Sequence, residues 1–316
     1  MIEFRHVSKI FAGVPAVSDL NLECKTGAFS VLIGTSGSGK STTLKMINRL
    51  VEHDEGTILF AGEEIRSLPV LELRRRMGYA IQSIGLFPHW TVAQNIATVL
   101  QLQKWSKAKI TARIDELMAL LGLDPALRDR YPHQLSGGQQ QRVGVARALA
   151  ADPEVLLMDE PFGALDPVTR GALQQEMIRI HRLLGRTIVL VTHDIDEALQ
   201  LADHLVLMDN GAIVQQGTPL EMLTRPANDF VKDFFGRSEL GVRLLSLHQV
   251  KAWVRTNEKP LPGEPLSEEL TLREALSAFV ARQSDVLPVA TADGVPYGTL
   301  HFSDLLTTEI ARERYS

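Results

Sequence analysis

A glycine-rich segment near the N-terminal end of the chain has the residue types and spacing of a phosphate-binding loop. It follows an apolar strand-like run and leads into a helical pattern, and it fits G-x-x-x-x-G-K-[ST] at every fixed position. The segment reads Gly34, Thr35, Ser36, Gly37, Ser38, Gly39, Lys40, Ser41, and we include Thr42 among the nucleotide-binding residues. An ordinary glycine-rich turn is the alternative, and the strand and helix on either side disfavour it.

The chemistry of such a loop follows from its backbone. Glycines let the chain curl closely around phosphates, so that successive N–H groups point inward, and a helix N-terminus adds partial positive charge. We expect Lys40 to neutralise the β- and γ-phosphates of a nucleotide and Ser41 to ligate Mg²⁺.

Two carboxylates follow another apolar run, Val155–Met158. We expect Asp159 to face the metal below the phosphates and Glu160 to polarise the attacking water. Taken alone, the pattern favours a strand that ends at a solvated acidic turn. The phosphate loop reverses that preference, because phosphoryl transfer needs both a Mg²⁺ ligand and a group that positions water.

The elements around these residues indicate an α/β domain over residues 1 to about 235. Short apolar, β-rich runs predict strands covered on both faces, and therefore a mainly parallel sheet. These runs are Phe29–Ile33, Val155–Met158, Thr187–Val191 and His204–Met208. Asp166 and Pro167 predict the start of a helix that Gly185 closes. Asp209, Asn210 and Gly211 predict a hairpin.

Composition narrows the classes of protein that remain. The 316 residues carry a net charge of −5, so we expect no nucleic-acid partner, and the length suits about two domains. No apolar run reaches the length of a membrane span, and charges near the N-terminus argue against a signal peptide. Cys24 is the single cysteine, which excludes an internal disulfide and suits the reducing cytosol.

A further motif with anion-binding residue types lies between the phosphate loop and the acidic pair Asp159 and Glu160. Ser136, Gly137, Gly138 and Gln139 follow Leu135, and two glycines after a serine at the start of a helix again offer backbone N–H groups to phosphate. With this LSGGQ motif between the two earlier ones, residues 1 to about 235 resemble the ATPase subunits of ABC transporters. That resemblance implies a P-loop nucleotide-binding domain with an antiparallel β part and a helical subdomain, and it implies ATP hydrolysis with Mg²⁺.

The resemblance also assigns roles to residues outside the three motifs. Phe11 matches the aromatic residue that stacks on adenine, although a core phenylalanine is the alternative. Gln82 matches the Q-loop glutamine, which contacts Mg²⁺ and water and senses the membrane partner. Asp166 matches the D-loop aspartate, with Gly163 in place of the usual serine, and His193 matches the switch histidine at the γ-phosphate.

The resemblance further implies partners and a place in the cell. Two chains would pair head to tail as a homodimer, with each ATP between one chain's Gly34–Thr42 loop and the other's Ser136–Gln139. Separate integral membrane permease subunits would dock near Gln82, where Ile84–Trp90 is either core or an interface. The chain would then lie peripherally on the cytoplasmic face of the inner membrane.

Finer similarity narrows the substrate class. Val31–Arg49, Arg74–Trp90 and Arg225–Gly236 resemble the importers of quaternary amines such as glycine betaine, choline and carnitine. In those systems a separate substrate-binding protein, periplasmic or extracellular, selects the substrate. The alternatives are an ABC ATPase for another small solute, including an exporter, a soluble ABC ATPase of translation or DNA repair, and a non-enzymatic regulator.

The C-terminal part is predicted to contain a linker over 237–268 and a small α+β unit over 269–316. Val286–Val289, Asp293-Gly294 and Gly298–Leu305 resemble a single CBS motif, in which Asp304 matches the aspartate that contacts ribose. His301 replaces the usual threonine or serine, which weakens the case for nucleotide binding. The unit is either an appendage that stabilises a dimer or a module that regulates the ATPase.

Overall fold

The computed structural model describes residues 1–81, 85–163, 165–259 and 261–306. The chain forms two compact units, Met1–Gln216 and Gly217–Ser316. The strands are β1 (Ile2–Phe11), β2 (Val14–Cys24), β3 (Phe29–Gly34), β4 (Glu55–Phe60), β5 (Glu63–Glu64), β6 (Met77–Ala80), β7 (Val155–Asp159), β8 (Thr187–Val191), β9 (His204–Asp209), β10 (Ala212–Gly217), β11 (Leu266–Ser267), β12 (Val286–Ala290) and β13 (Pro296–His301). The α-helices are α1 (Lys40–Ile47), α2 (Val70–Arg75), α3 (Val92–Leu102), α4 (Lys107–Leu120), α5 (Gly137–Leu149), α6 (Pro167–Leu184), α7 (Ile195–Leu201), α8 (Pro219–Thr224), α9 (Asp229–Phe234), α10 (Leu240–Ser246) and α11 (Leu272–Arg282).

The first unit is built on a six-stranded sheet with the order β10-β9-β3-β8-β7-β6. β3 pairs in parallel with β8 and β9, and β7 pairs in parallel with β6 and β8. Every residue of β3, β7 and β8 is buried. The four predicted strands and the parallel core are confirmed, because strands covered on both faces have continuous rather than alternating apolar character.

A second sheet, with the order β2-β1-β4-β5, is antiparallel. Its inner side chains share one apolar core with α1 and the parallel sheet, including Phe4, Ile58, Leu44 and Val189. Burial of this core holds α1, and therefore the start of the helix after the glycine-rich loop, at a fixed position on the parallel sheet.

Helix α6 and the β9–β10 turn follow their sequence signals. Asp166 caps α6, Pro167 occupies its first turn, and Gly185 closes it with a φ of 60°. Asn210 and Gly211 have φ values of 47° and 81°, as a tight hairpin requires. In the described part of the chain, none of the helices has the length and apolarity needed to cross a bilayer.

The second unit contains the small sheet β11-β12-β13 and α8–α11. The predicted boundary at 236 and the predicted linker 237–268 do not coincide with this division. Helix α10 lies inside the predicted linker, and Leu245, Val250 and Leu266 are buried with Phe279 in the unit's core. The cluster of prolines indicated an exposed connection, whereas the apolar residues around it pack into the core.

His53, in the loop before β4, is a buried histidine. The residue is 2% exposed, and neither ring nitrogen has a hydrogen-bond partner in the described structure. Burial, followed by the charge of Arg66, lowers the pKa of His53. The unfolded chain therefore takes up a proton there more readily, so the free energy of unfolding falls as the pH decreases below about 6.5.

We predict that His53→Leu loses less thermal stability than the wild type between pH 7.5 and pH 5.5, because it removes this proton uptake. The thermal unfolding midpoint at each pH measures the effect. His89→Gln, at an exposed histidine, is the control and should keep the wild-type dependence. Equal pH dependence of His53→Leu and the wild type would exclude His53 as the source.

Candidate nucleotide-binding site

The glycine-rich loop joins β3 to α1, and two of its glycines are required by close backbone approach. Gly39 has a φ of 96°, and a Cβ there would lie 2.5 Å from the carbonyl oxygen of Ala16. Gly34 has a φ of 150°, and its Cβ would lie 1.9 Å from the carbonyl oxygen of Met208. Neighbouring strands therefore press on the loop from both sides and leave room only for hydrogen at these positions.

Lys40 crosses the loop with its ammonium group against main-chain oxygens. Its Nζ donates to the carbonyl oxygens of Gly34 at 2.9 Å and Thr35 at 2.7 Å, and to Ser38 Oγ at 3.2 Å. Burial lowers the pKa of Lys40, and the carboxylates of Glu160 and Asp159 oppose that shift. A cation is thus positioned at the centre of the predicted phosphate cradle.

Ser41 and Asp159 are brought together although they lie far apart in sequence. Ser41 Oγ donates to Asp159 Oδ1 at 2.8 Å, and Asp159 is 9% exposed at the end of β7. A hydroxyl and a carboxylate side by side fit Mg²⁺, which usually takes one or two protein oxygen ligands together with phosphate oxygens and water. The donor set therefore suits the predicted metal.

Glu160 and His193 meet at the same edge of the sheet. Glu160 follows β7 with a φ of 45°, and its backbone N–H donates to the Val191 carbonyl oxygen at 2.9 Å. His193 follows β8, and its Nδ1 lies 3.2 Å from Glu160 Oε2. The pairing of β7 with β8 therefore places a carboxylate and an imidazole in contact.

A cavity of about 440 Å³ opens above these residues. Residues 36–42 of the loop line it, together with Ala16, Glu160 and His193. The residues predicted to contact the phosphates, the attacking water and the γ-phosphate therefore line one cavity. Ala16 carried no sequence signal, because it is a small strand residue, and its carbonyl oxygen lies close to Gly39.

The LSGGQ motif lies at the start of α5, and residues 136–139 are absent from the described lining of this cavity. Ser136 Oγ accepts from the Gln139 N–H at 3.3 Å, and Gln139 Oε1 accepts from the Ser136 N–H at 2.9 Å. Ser136 and Gly137 are exposed, whereas Gly138 is buried against α6. One chain therefore presents two helix ends that carry predicted anion-binding motifs, and one of them lines the cavity.

The remaining predicted residues are placed as follows. Asp166 Oδ1 accepts from the N–H groups of Val168 and Thr169, both at 3.1 Å, which confirms its capping role. Phe11 is 46% exposed, so it is not a core residue, and it is not among the residues that line the cavity. Gln82 lies outside the described residues.

A glycine-rich loop at the end of a parallel strand, with a hydroxyl–carboxylate pair that suits Mg²⁺ and a carboxylate beside a histidine, is typical of a P-loop nucleoside triphosphatase. A profile described as "ABC transporter" matches residues 17–163. The chain is 80% identical to the glycine betaine uptake system ATP-binding protein YehX of Escherichia coli, over 97% of this chain and 99% of that protein. It is 47% identical to the glycine betaine/carnitine/choline transport ATP-binding protein OpuCA of Bacillus subtilis, over 94% and 77%.

A solved structure extends the comparison to three dimensions. The dimeric, post-hydrolysis state of the ATP-binding cassette MJ0796 bound to ADP and Pi aligns with a TM-score of 0.62 and 31% identity. It covers 69% of this chain and 99% of that one. The chain therefore belongs to the ABC transporter family of ATP-binding proteins, and it is an ABC-type ATPase.

The family resemblance drawn from the sequence is confirmed, with one refinement. The motifs had favoured the osmoprotectant import ATP-binding protein OsmV as the most similar protein. OsmV of Salmonella typhimurium is 47% identical over 94% of this chain, so the Escherichia coli protein is more similar.

The two glycines of LSGGQ provide a matched pair for mutation. A Cβ at Gly138 would lie 2.3 Å from Thr169 Cγ2, whereas a Cβ at Gly137 would meet only Leu165 Cδ2 at 3.8 Å. We predict that Gly138→Ala lowers the free energy of unfolding by about 1–3 kcal/mol through overpacking, and that Gly137→Ala leaves it within about 0.5 kcal/mol of the wild type. Denaturant titration measures both, and equal stability of the two variants would contradict the packing argument.

Proposed function

We propose that this chain is the ATP-hydrolysing subunit of an importer that takes up quaternary-amine osmoprotectants of the glycine betaine, choline and carnitine type. The observation that carries the proposal is the 80% identity, across nearly the whole chain, to a glycine betaine uptake ATP-binding protein. The relative named for glycine betaine, carnitine and choline transport supports the same substrate class. No residue of the described site is assigned to the transported amine, which a separate substrate-binding protein would select.

The hydrolytic chemistry follows from the arrangement of the cavity. Lys40 holds the β- and γ-phosphates, and backbone N–H groups of residues 36–41 orient them. Ser41 and Asp159 would hold Mg²⁺, together with Gln82, and the bound ion would neutralise charge on the phosphates. Glu160 orients the attacking water, and His193, held beside it at 3.2 Å, faces the γ-phosphate.

Each ATP site would be completed by a second copy of the chain. Residues Ser136–Gln139 begin a helix with an exposed end, and they are not part of the described cavity around their own chain's loop. A head-to-tail homodimer brings this helix end onto the partner's nucleotide, with Asp166 at the same interface. The solved relative, which is dimeric, supports this arrangement.

The membrane subunits would dock on the segment after Gln82. Phe87 and Trp90 are 43% and 37% exposed, and their rings lie 4.5 Å apart. Asn95 fixes this loop by accepting from the Phe87 N–H and donating to the Trp90 carbonyl oxygen. Exposed aromatic residues held in a rigid loop are typical of interfaces, which favours a permease contact over a core role. The chain would then be a peripheral protein on the cytoplasmic face of the inner membrane.

For the C-terminal unit we propose a single CBS-like motif over 269–316, of which 307–316 lie outside the described residues. Arg255 Nη2 donates to Asp304 Oδ1 at 2.6 Å, and His301 Nε2 lies 2.7 Å from Glu258 Oε2. The carboxylate that would meet a ribose is thus paired within its own unit. This pairing favours the role of dimer-stabilising appendage over that of a nucleotide sensor.

The proposal is tested by uptake of labelled glycine betaine, choline and carnitine in cells that lack this gene. We expect the wild-type gene to restore uptake of at least one of them. Glu160→Gln should fail to restore it, because loss of the water-orienting carboxylate slows turnover by about 10²–10⁴-fold. Purified Glu160→Gln should still bind ATP, since Lys40 and Ser41 remain.

Glu154→Gln is the matched control. Glu154 lies just before β7, the strand that Glu160 follows, and pairs with Arg76. It should restore uptake like the wild type. Restoration by Glu160→Gln would refute the hydrolytic assignment. No restoration by the wild type for any of the three amines would refute the substrate class and leave the ATPase intact.

A further inference from the structure

A polar cluster beneath His193 joins two loops that the hydrolytic site uses. One is the D-loop before α6, and the other is the 192–194 segment between β8 and α7. Arg170 on α6 contacts both loops: its Nη2 donates to the Leu165 carbonyl oxygen at 3.2 Å, and its Nη1 donates to Asp194 Oδ2 at 3.2 Å. One guanidinium therefore bridges the D-loop backbone and the residue that follows His193.

Asp194 makes further hydrogen bonds within its own segment. Its Oδ1 accepts from the Glu197 N–H at 3.0 Å, and its backbone N–H donates to Thr192 Oγ1 at 3.0 Å. The backbone of His193 is thus flanked by two residues with defined hydrogen bonds. Because the imidazole is itself exposed, these flanking contacts and the contact with Glu160 determine its position.

Glu197 and Gln174 close the cluster from the interior. Both are almost fully buried, and Gln174 Nε2 donates to Glu197 Oε2 at 3.1 Å. Glu197 Oε1 is buried without a hydrogen-bond partner in the described structure. Burial raises the pKa of Glu197 to about 7, and Thr192, followed by Gln174 and Arg170, opposes that rise. Burying the carboxyl group of Glu197 costs free energy. Glu197 is on α7 and accepts a hydrogen bond from Gln174 on α6, so it links the two helices.

We propose that Arg170 is a positioning residue for hydrolysis: through Asp194 it sets the location of His193, and through the Leu165 carbonyl it links that location to the D-loop. The inference rests on the proposed function, since His193 matters only where the γ-phosphate is cleaved. It also gives the D-loop a route to the catalytic histidine within one chain. Because the ammonium group of lysine is compact, Arg170→Lys cannot reach both acceptors as the planar guanidinium does.

The experiment is steady-state ATP hydrolysis by the purified full-length chain. We expect Arg170→Ala to lower kcat by about tenfold through misplacement of His193, with KM and ATP affinity within about twofold of the wild type. Arg170→Lys should recover part of that loss. Asp194→Asn keeps an oxygen for the Glu197 N–H but loses the charge that faces Arg170, so it should also lower kcat, and the double variant should be no slower than Arg170→Ala.

Arg179→Ala is the matched control, because Arg179 is on the same helix and pairs with Glu176 at the surface. It should keep the wild-type kcat. A wild-type kcat in Arg170→Ala, an equal loss in Arg179→Ala, or additive losses in the double variant would overturn the inference. Glu160→Gln assayed in parallel separates the two proposals: if it hydrolyses ATP normally, the proposed function itself fails.

Discussion

The nucleotide site depends on one constraint, the parallel register of β3, β8 and β7. Val191 on β8 lies opposite Leu32 on one side and opposite Asp159 on the other. The carboxyl ends of the three strands therefore meet at one edge of the sheet. The phosphate loop follows β3 there, Glu160 follows β7 and His193 follows β8. Backbone hydrogen bonds and burial on both faces hold that register. The sheet therefore fixes where Glu160 and His193 lie at its edge.

The same edge of the sheet matters for the proposed head-to-tail dimer. Lys40, Ser41 and Glu160, which we expect to act on the phosphates and the attacking water, line the cavity. In the proposed head-to-tail dimer, the helix end at Ser136 of a second chain would supply further backbone N–H groups to the nucleotide. Helix α6 links the proposed dimer interface with the segment that carries His193. Asp166 at its start lies in the D-loop, and Arg170, one turn later, contacts Asp194 next to His193.

Local sequence patterns predict those parts of the site that are formed by residues adjacent in the sequence. The glycine-rich loop, the four buried strands and the limits of α6 were predicted because each has a contiguous pattern or a cap. The bridge from Arg170 to Asp194 and the pair of Arg255 with Asp304 have no such signal, since each joins distant segments through side chains of common types. The division at Gln216 was missed for a related reason: the proline-rich stretch was clear, whereas the packing of Leu245 and Val250 into the second core emerges only in three dimensions.

A composite ATP site between two chains can be tested by mixing two inactive variants. Lys40→Ala impairs the phosphate loop, and Ser136→Arg blocks the helix end that meets the partner's nucleotide, so each homodimer should be nearly inactive. In a mixed head-to-tail dimer one site has both defects, and the other has neither. Mixing equal amounts should restore ATP hydrolysis to about a quarter of the wild-type rate, since half of the dimers are mixed and each has one intact site. Wild-type hydrolysis by Ser136→Arg alone, or no recovery when mixed dimers are shown to form, would contradict it.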